Sequence, residues 1–167
     1  MRPFVNQETL LLIYNALIQP LFDYCDIVWD SLSVGLATRL QKLQNRAGRI
    51  ILRANYETRS EEVLKILEWE NLSARRMKHK AIAMYKVLNE NAPKYLKDDI
   101  NKVEDSNPYN LRNNTHLRLP FPNTEYMNRS FKYSGPKLWN SLSSELKTTK
   151  CLSAFKKKLN NNNIVLK

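Results

Sequence analysis

Residues 36–54 constrain the fold more than any other segment, because an apolar stripe and a basic stripe follow the same helical period there. The apolar residues recur every three or four positions, the spacing that places side chains on one face of an α-helix. The members of this expected core face are Leu36, Leu40, Leu43, Ala47, Ile50 and Ala54. We therefore predict one continuous helix that packs along this face.

The basic stripe of the same segment lies one residue before the apolar stripe throughout. Its members are Arg39, Lys42, Arg46, Arg49 and Arg53. One residue turns a helix by about 100°, so the cations lie beside the apolar face, where an Arg can bury its stem and keep its guanidinium in water. No Asp or Glu occurs in this segment to pair with them. Two interpretations remain open: a solvated face that happens to be basic, or a surface that binds a polyanion.

The charge of the whole chain favours an anionic partner. Its 167 residues carry 27 Lys and Arg against 16 Asp and Glu, a formal net charge of +11. An excess of this size favours nucleic acid or an anionic membrane surface as the partner. Only three glycines are present and 43% of the residues are hydrophobic, so long helices and one packed domain, alone or with a small appendage, are expected.

Cysteine usage and hydropathy bear on the compartment. Cys25 and Cys151 are too few for a disulfide framework, which favours a reducing compartment. The longest apolar run, residues 10–14, is too short to span a bilayer, and the preceding Glu8 does not fit a signal peptide. We expect a protein of the cytoplasm or nucleus, with no signal peptide, transmembrane segment or membrane partner.

Further helices are predicted on both sides of the basic helix, so that residues 1–100 form one helical bundle. Residues 7–30 carry a second apolar face, with a break or kink expected at Pro20, which lacks a backbone donor. The members of that face are Leu10, Tyr14, Leu17, Leu21, Tyr24 and Val28. Residues 60–69 and 72–89 are predicted to form a short helix and a long helix.

The composition changes after residue 100. Residues 101–114 are polar and without a period, so they are predicted to be a linker or long loop. Residues 115–167 are predicted to be a small, mostly helical C-terminal extension, with Pro136 in the first turn of one helix. Within it, residues 116–119 alternate and could pair with 125–133 as a short β-hairpin. The fold class expected for the whole chain is mainly α.

No catalytic residue, metal site, cofactor or small-molecule substrate is predicted. Cysteine and histidine are scattered, without the spacing of metal ligands, and no phosphate-binding loop or nucleophile elbow occurs. Two-metal chemistry needs carboxylates on rigid, apolar-flanked elements. Asp23 and Asp26 are therefore expected to be surface or capping groups, and Asp98 and Asp99 a solvated helix end.

A second basic cluster begins the predicted helix 72–89. It consists of Arg75, Arg76, Lys78, His79 and Lys80. It can be a solubilising face opposite the apolar residues of that helix, or a second contact to nucleic acid through Arg75, Arg76 and Lys80. Both interpretations expect an exposed face.

Several motifs of the chain occur in the order found in a known family. They are Y-N-A-L-I-Q-P at 14–20, D-Y-C at 23–25, L-Q-K-L-Q-N-R-A-G-R-I-I at 40–51, F-K-Y-S-G-P at 131–136 and L-W-N-S-L at 138–142. Together they resemble the region C-terminal to the palm in reverse transcriptases of non-LTR (LINE-type) retrotransposons. The resemblance extends over residues 10–159, and the motif at 40–51 is its most specific part.

The resemblance implies a thumb-like helical bundle followed by a C-terminal extension. In this family the thumb helices follow the backbone of the template–primer duplex. By position, the basic stripe of residues 39–53 would then contact an RNA–DNA hybrid or duplex without reading its sequence. The fingers and the palm with its catalytic aspartates have no counterpart here, so RNA-directed DNA polymerase activity is not expected of this chain. The alternatives are a helical protein-interaction module, or a decayed gene product with no nucleic-acid role.

Overall fold

The computed structural model describes residues 5–103 and 116–161, and this part of the chain is mainly helical, as predicted. It divides into two compact units, Met1–Arg76 and Met77–Lys167. The division differs from the boundary expected at residue 100, because residues from 77 onward share a core with the C-terminal extension. Residues 104–114 of the predicted linker lie outside the described part. Within that part, no helix combines the length and the apolar character needed to cross a membrane.

The first unit contains short helices followed by the long basic helix. Its elements are α1 (Gln7–Ile13), a π-helical turn (Tyr14–Ile18), α2 (Gln19–Asp23), α3 (Asp26–Trp29), α4 (Val34–Leu52), α5 (Ser60–Ile66) and the first residues of α6 (Leu72–Leu88). Side chains cap three of these helices, and before α6 the Asn71 Oδ1 accepts the Ala74 N–H at 2.7 Å. Asn6 accepts the Thr9 N–H at 2.8 Å before α1, and the Ser33 hydroxyl accepts the Leu36 N–H at 3.5 Å before α4.

A break or kink is predicted at Pro20, and the structure has a π-helical turn that ends two residues before it. The N–H of Gln19 bonds to the carbonyl of Tyr14, five residues back, and Pro20 then lies in the first turn of α2, where a missing N–H costs least. The turn adds a residue to the helix and changes the phase of the apolar pattern.

After Tyr14, the first residue of the π-helical turn, the predicted apolar face of residues 7–30 is wrong. Tyr14 is buried and stacks on Trp69 with ring centroids 4.1 Å apart. The later members are exposed: Leu17 by 66%, Leu21 by 74%, Tyr24 by 76% and Val28 by 78%. The left-handed backbone of Cys25, with φ 50°, breaks the phase a second time.

The second unit is built around aromatic side chains. It contains the rest of α6, α7 (Lys94–Asp98), α8 (Glu125–Arg129), α9 (Phe131–Ser141), α10 (Ser144–Lys147) and α11 (Leu152–Asn161). Phe155 lies in the middle of the core, with ring centroids 4.6 Å from Tyr85 and 6.1 Å from Trp139. Leu159 of α11 is also fully buried.

The β-hairpin suggested for residues 116–119 and 125–133 does not form, because residues 125–129 and 131–133 are helical. The Thr124 hydroxyl accepts the Met127 N–H at 3.2 Å and caps α8, a local interaction that competes with strand pairing. Leu117 instead forms a single antiparallel bridge with Lys102. Pro136 also lies inside α9 and not in its first turn.

A side chain takes the place of the missing partner strand. The Asn140 Oδ1 accepts the Leu117 N–H at 2.9 Å, and the Asn140 Nδ2 donates to the Leu117 carbonyl at 2.9 Å. Because Leu117 is 3% exposed, these bonds satisfy polar groups that water cannot easily reach. Asn140 therefore gives the W-N-S-L motif a structural role.

Candidate nucleic-acid interface

The buried face of α4 is one residue out of phase with the predicted core face. Gln44, Gly48 and Ile51 are buried, whereas Leu43 is 55% and Ile50 is 37% exposed. The prediction of the core face is therefore wrong by about 100° of helix rotation. The basic stripe then lies about 200° from the buried face, which is the side turned to solvent.

Gly48 explains part of this rotation. A Cβ at position 48 would lie 2.6 Å from Cγ1 of Val63 and 3.2 Å from Cδ1 of Leu67, so α5 packs where the glycine has no side chain. Glycine in a helix interior costs about 1 kcal/mol relative to alanine. An isolated glycine within a helical pattern was the available sequence signal for such a close approach.

Two glutamines of α4 explain the rest of the rotation. The Gln41 Oε1 accepts the Leu72 N–H at 2.9 Å, and its Nε2 donates to the Gln44 Oε1 at 2.7 Å. The Gln44 Nε2 donates to the Glu70 carbonyl at 3.1 Å. The Leu72 N–H is at the start of α6 and has no partner within the helix, and the Glu70 carbonyl lies just before the helix. The glutamines of the L-Q-x-x-Q-N-R motif therefore join α4 to α6.

The cations of α4 fall into a free set and an anchored set. Arg39, Lys42 and Arg46 are exposed, and within residues 5–103 and 116–161 no hydrogen bond or ion pair holds their side chains. Arg49 is anchored: its Nε and Nη2 donate to the Thr58 carbonyl at 3.1 and 2.8 Å. Its Nη2 also donates to the Ser60 hydroxyl at 3.0 Å.

Arg53 belongs to the anchored set as well. It follows α4 as the C-cap residue in the left-handed conformation, with φ 53°. Its Nη2 donates to the Val5 carbonyl at 2.9 Å, although the residue remains exposed. The basic stripe therefore has three free cations, which follow the Ser33 cap of α4. The two arginines after them, Arg49 and Arg53, donate to backbone carbonyls.

A groove of about 1010 Å³ runs beside α4 and the loop that leads to α5. Its lining includes Lys42, Leu43, Arg46, Arg49, Ile50 and Tyr56, and none of its lining residues is acidic. Tyr56 is 87% exposed, and the Arg49 guanidinium carbon lies 5.8 Å from the centre of its ring. The groove therefore combines cations with an apolar wall and one exposed aromatic ring.

Arg75 of the second basic cluster is engaged in an ion pair. Its Nε and Nη2 donate to the two carboxylate oxygens of Asp23 at 2.6 and 2.7 Å. This bidentate bond raises the pKa of Arg75 further above its already high value. Asp23 therefore joins α2 to α6 and is not a free surface carboxylate.

Arg76 and Lys80 contradict the expectation of an exposed basic face on α6, because they are 5% and 6% exposed. The Arg76 Nε donates to the Asp30 Oδ1 at 2.7 Å, and its guanidinium carbon lies 5.6 Å from the Trp29 ring. Both are therefore unsuited to contact nucleic acid from this surface.

The remaining carboxylates follow the predictions in part. Asp26 is 3% exposed and is the first residue of α3, so of the two expected roles, surface or capping group, the surface role is wrong. Asp98 and Asp99 lie at the exposed C-terminal end of α7, as predicted, and Lys132 donates to Asp99 at 2.8 Å. Cys25 and Cys151 are free and exposed.

The structure thus brings Lys42, Arg46 and Arg49 together in one groove, with Arg39 one turn earlier on the same stripe. The sequence pattern identified these cations, but it did not indicate the groove, the exposed Tyr56 or the anchoring of Arg49. Comparison of the chain with protein-family models, with curated proteins and with solved structures finds no match. The functional argument therefore rests on the chemistry of this surface.

Proposed function

We propose that this chain corresponds to the thumb-like and C-terminal part of a retrotransposon reverse-transcriptase-like protein, and that α4 binds a nucleic-acid backbone. The supporting observation is the exposed row of Arg39, Lys42 and Arg46 on a helix that has no acidic residue. Successive members lie about one turn apart, or roughly 5.4 Å along the axis. They present a continuous positive edge to a polyanion.

The binding proposed here does not depend on the base sequence of the nucleic acid. Contacts from Arg and Lys to phosphates fix the position of a duplex but carry no information about its bases. Each phosphate contact contributes about −0.9 to the slope of log K against log salt on B-DNA, so three contacts give a slope near −3. An RNA–DNA hybrid is the duplex that the resemblance to reverse transcriptases suggests.

The proposed role is binding, and we assign no catalytic residue, metal or cofactor to this chain. The catalytic carboxylates of the resembled polymerases belong to the palm, which has no counterpart among these motifs. Asp23 is paired with Arg75, and Asp98 and Asp99 end a short exposed helix. We therefore do not propose RNA-directed DNA polymerase activity for this chain.

The test is a salt titration of binding to a fluorescent RNA–DNA hybrid. We would compare the wild type with the double variant Lys42→Glu, Arg46→Glu and expect the slope to become shallower by about 2. Arg49 is left unchanged because it holds the Thr58 carbonyl. The matched control is Lys156→Glu with Lys157→Glu, two exposed lysines of α11 whose replacement changes the net charge by the same amount.

The two pairs of variants separate a local contact from the effect of net charge. Loss of affinity in the α4 pair alone supports the proposed contact. Equal losses in both pairs would mean that the total charge, and not α4, attracts the hybrid. Weak binding with a flat salt dependence in the wild type would exclude the proposed function.

A protein-interaction module is the second candidate, and the exposed apolar row on the first unit favours it. Leu17, Leu21, Tyr24 and Val28 are 66–78% exposed. Exposed apolar surface marks interaction sites in soluble proteins when it gathers into a patch. This candidate predicts self-association that persists at high salt and is lost in Leu21→Asp, together with no binding to the hybrid.

A further inference from the structure

Tyr56 is an exposed aromatic residue held in a defined place. The ring is 87% exposed, and the Arg49 guanidinium lies over it at 5.8 Å. Arg49 is fixed in turn by the Thr58 carbonyl and the Ser60 hydroxyl, at 2.8 and 3.0 Å. With Arg49 over the ring and so little of the residue covered, Tyr56 can still receive a planar group.

The wall of the groove beside Tyr56 is only partly suited to a paired duplex. Lys42 and Arg46 suit phosphates, but Leu43 and Ile50 are 55% and 37% exposed beside them. A paired duplex offers phosphates and sugars along its backbone and keeps its bases stacked inside. Unpaired nucleotides offer phosphates and also free base faces, which stack on aromatic side chains whatever the sequence.

We infer that the groove lined by Lys42, Leu43, Arg46, Ile50 and Tyr56 binds unpaired nucleotides, with a base stacked on Tyr56 and phosphates on the two cations. The inference rests on the proposed contact between α4 and nucleic acid, and it adds that a single-stranded extension binds better than duplex alone. The groove volume of about 1010 Å³ is sufficient for such a ligand, because small-molecule sites measure about 300–1,000 Å³.

The test compares three labelled probes at one salt concentration. The first is a blunt RNA–DNA hybrid, the second is the same hybrid with a single-stranded extension of about six nucleotides, and the third carries an abasic extension of equal length. The abasic probe has the added phosphates but no bases. We expect the second probe to bind about fivefold or more tightly than the third, the lower limit for one stacked base.

Variants of Tyr56 test whether its ring causes the preference for the base-containing extension. Tyr56→Ala is expected to remove the preference for the base-containing extension and to leave binding to the blunt hybrid unchanged, whereas Tyr56→Phe keeps both. The matched control is Tyr126→Ala, which removes a tyrosine that is 82% exposed but does not line the groove. Both tyrosines are largely exposed, so neither substitution is expected to disturb the fold.

The outcomes separate this inference from the function on which it rests. Equal binding of the base-containing and abasic extensions would overturn the stacking inference and leave the backbone contact standing. An equal loss for all probes in Tyr56→Ala, or failure of Tyr56→Phe to keep the preference, would also overturn it. No binding of any probe by the wild type would exclude the proposed function and the inference together.

Discussion

Gly48 and Val63 lie so close that a Cβ at position 48 would be 2.6 Å from the Val63 Cγ1. Val63 is fully buried, so its side chain has little freedom to move aside. The helices α4 and α5 therefore pack through the backbone of Gly48, and the orientation of the basic stripe depends on this contact.

The substitution Gly48→Ala is expected to destabilise the first unit. Overpacking costs about 1–3 kcal/mol, and the helix propensity of alanine offsets up to about 1 kcal/mol of that. The matched control is Gly35→Ala in the first turn of α4, where an added Cβ meets no atom within 4 Å. Urea unfolding followed by circular dichroism measures both. A Gly48→Ala variant as stable as the control would refute the close contact.

The adjacent arginines of α6 are expected to differ in their contribution to stability. The side chains of Arg76 and Asp30 are 6% and 18% exposed. Because Arg76→Met leaves the mostly buried Asp30 carboxylate behind, it is expected to lower the free energy of unfolding by about 3 kcal/mol. The Arg75–Asp23 pair is 37% and 26% exposed, so Arg75→Met is expected to cost at most about 1 kcal/mol.

Urea unfolding at low and high salt distinguishes these two pairs. Salt screens exposed charges much more than buried ones, so the effect of Arg75→Met should shrink at high salt while that of Arg76→Met persists. Equal losses for the two variants would contradict the assigned difference in burial.

Asn140 is expected to be essential for holding the segment around Leu117. Asn140→Ala removes two hydrogen bonds of 2.9 Å and leaves buried backbone groups unpaired, at a cost of about 2 kcal/mol or more. Asn140→Asp keeps the acceptor but places a charged oxygen against the Leu117 carbonyl, so it should be no more stable than Asn140→Ala. Asn123→Ala changes an exposed asparagine and serves as the control. Amide exchange at Leu117 should accelerate in Asn140→Ala, and unchanged protection would contradict the assigned role.

The stability of the first unit is expected to fall in alkaline solution because of Tyr14. Burial raises the pKa of Tyr14 above its ordinary value of 10.0. The unfolded chain therefore loses this proton first, and the stabilisation present below pH 10 is lost as the pH rises through the folded pKa. The expected decline is up to about 1.4 kcal/mol per pH unit.

Tyr14→Phe is the control for this pH dependence, because it keeps the ring that stacks on Trp69 and removes the ionisable hydroxyl. Stability of both proteins would be measured by urea unfolding between about pH 8 and pH 11. The variant should show a shallower decline above pH 10. Parallel declines in the two proteins would exclude Tyr14 as the cause.

The sequence predicted the helices better than it predicted their orientation. A helix was expected over residues 36–54 and is found at Val34–Leu52. Its buried face was missed because Gln44 and Gly48 carry no hydrophobic signal, although the first satisfies a distant carbonyl and the second permits close packing. Hydrophobic periodicity alone cannot separate two faces that are one residue apart.

The candidate site was predictable to a similar degree. The free cations Arg39, Lys42 and Arg46 follow from the absence of acidic neighbours in the sequence. The burial of Arg76 does not, because its partner Asp30 lies 46 residues earlier in the chain. The anchoring of Arg49 depends in the same way on how the loop after α4 folds back.

The π-helical turn at Tyr14–Ile18 affects how this chain can be aligned with others. It adds one residue to the helix, so the side chains after it are rotated relative to those before it. A relative that lacked this extra residue could keep the same amino acids downstream and yet turn a different set of them toward its core. Ungapped alignments across this turn would then pair exposed positions with buried ones, and related chains would look more divergent than they are.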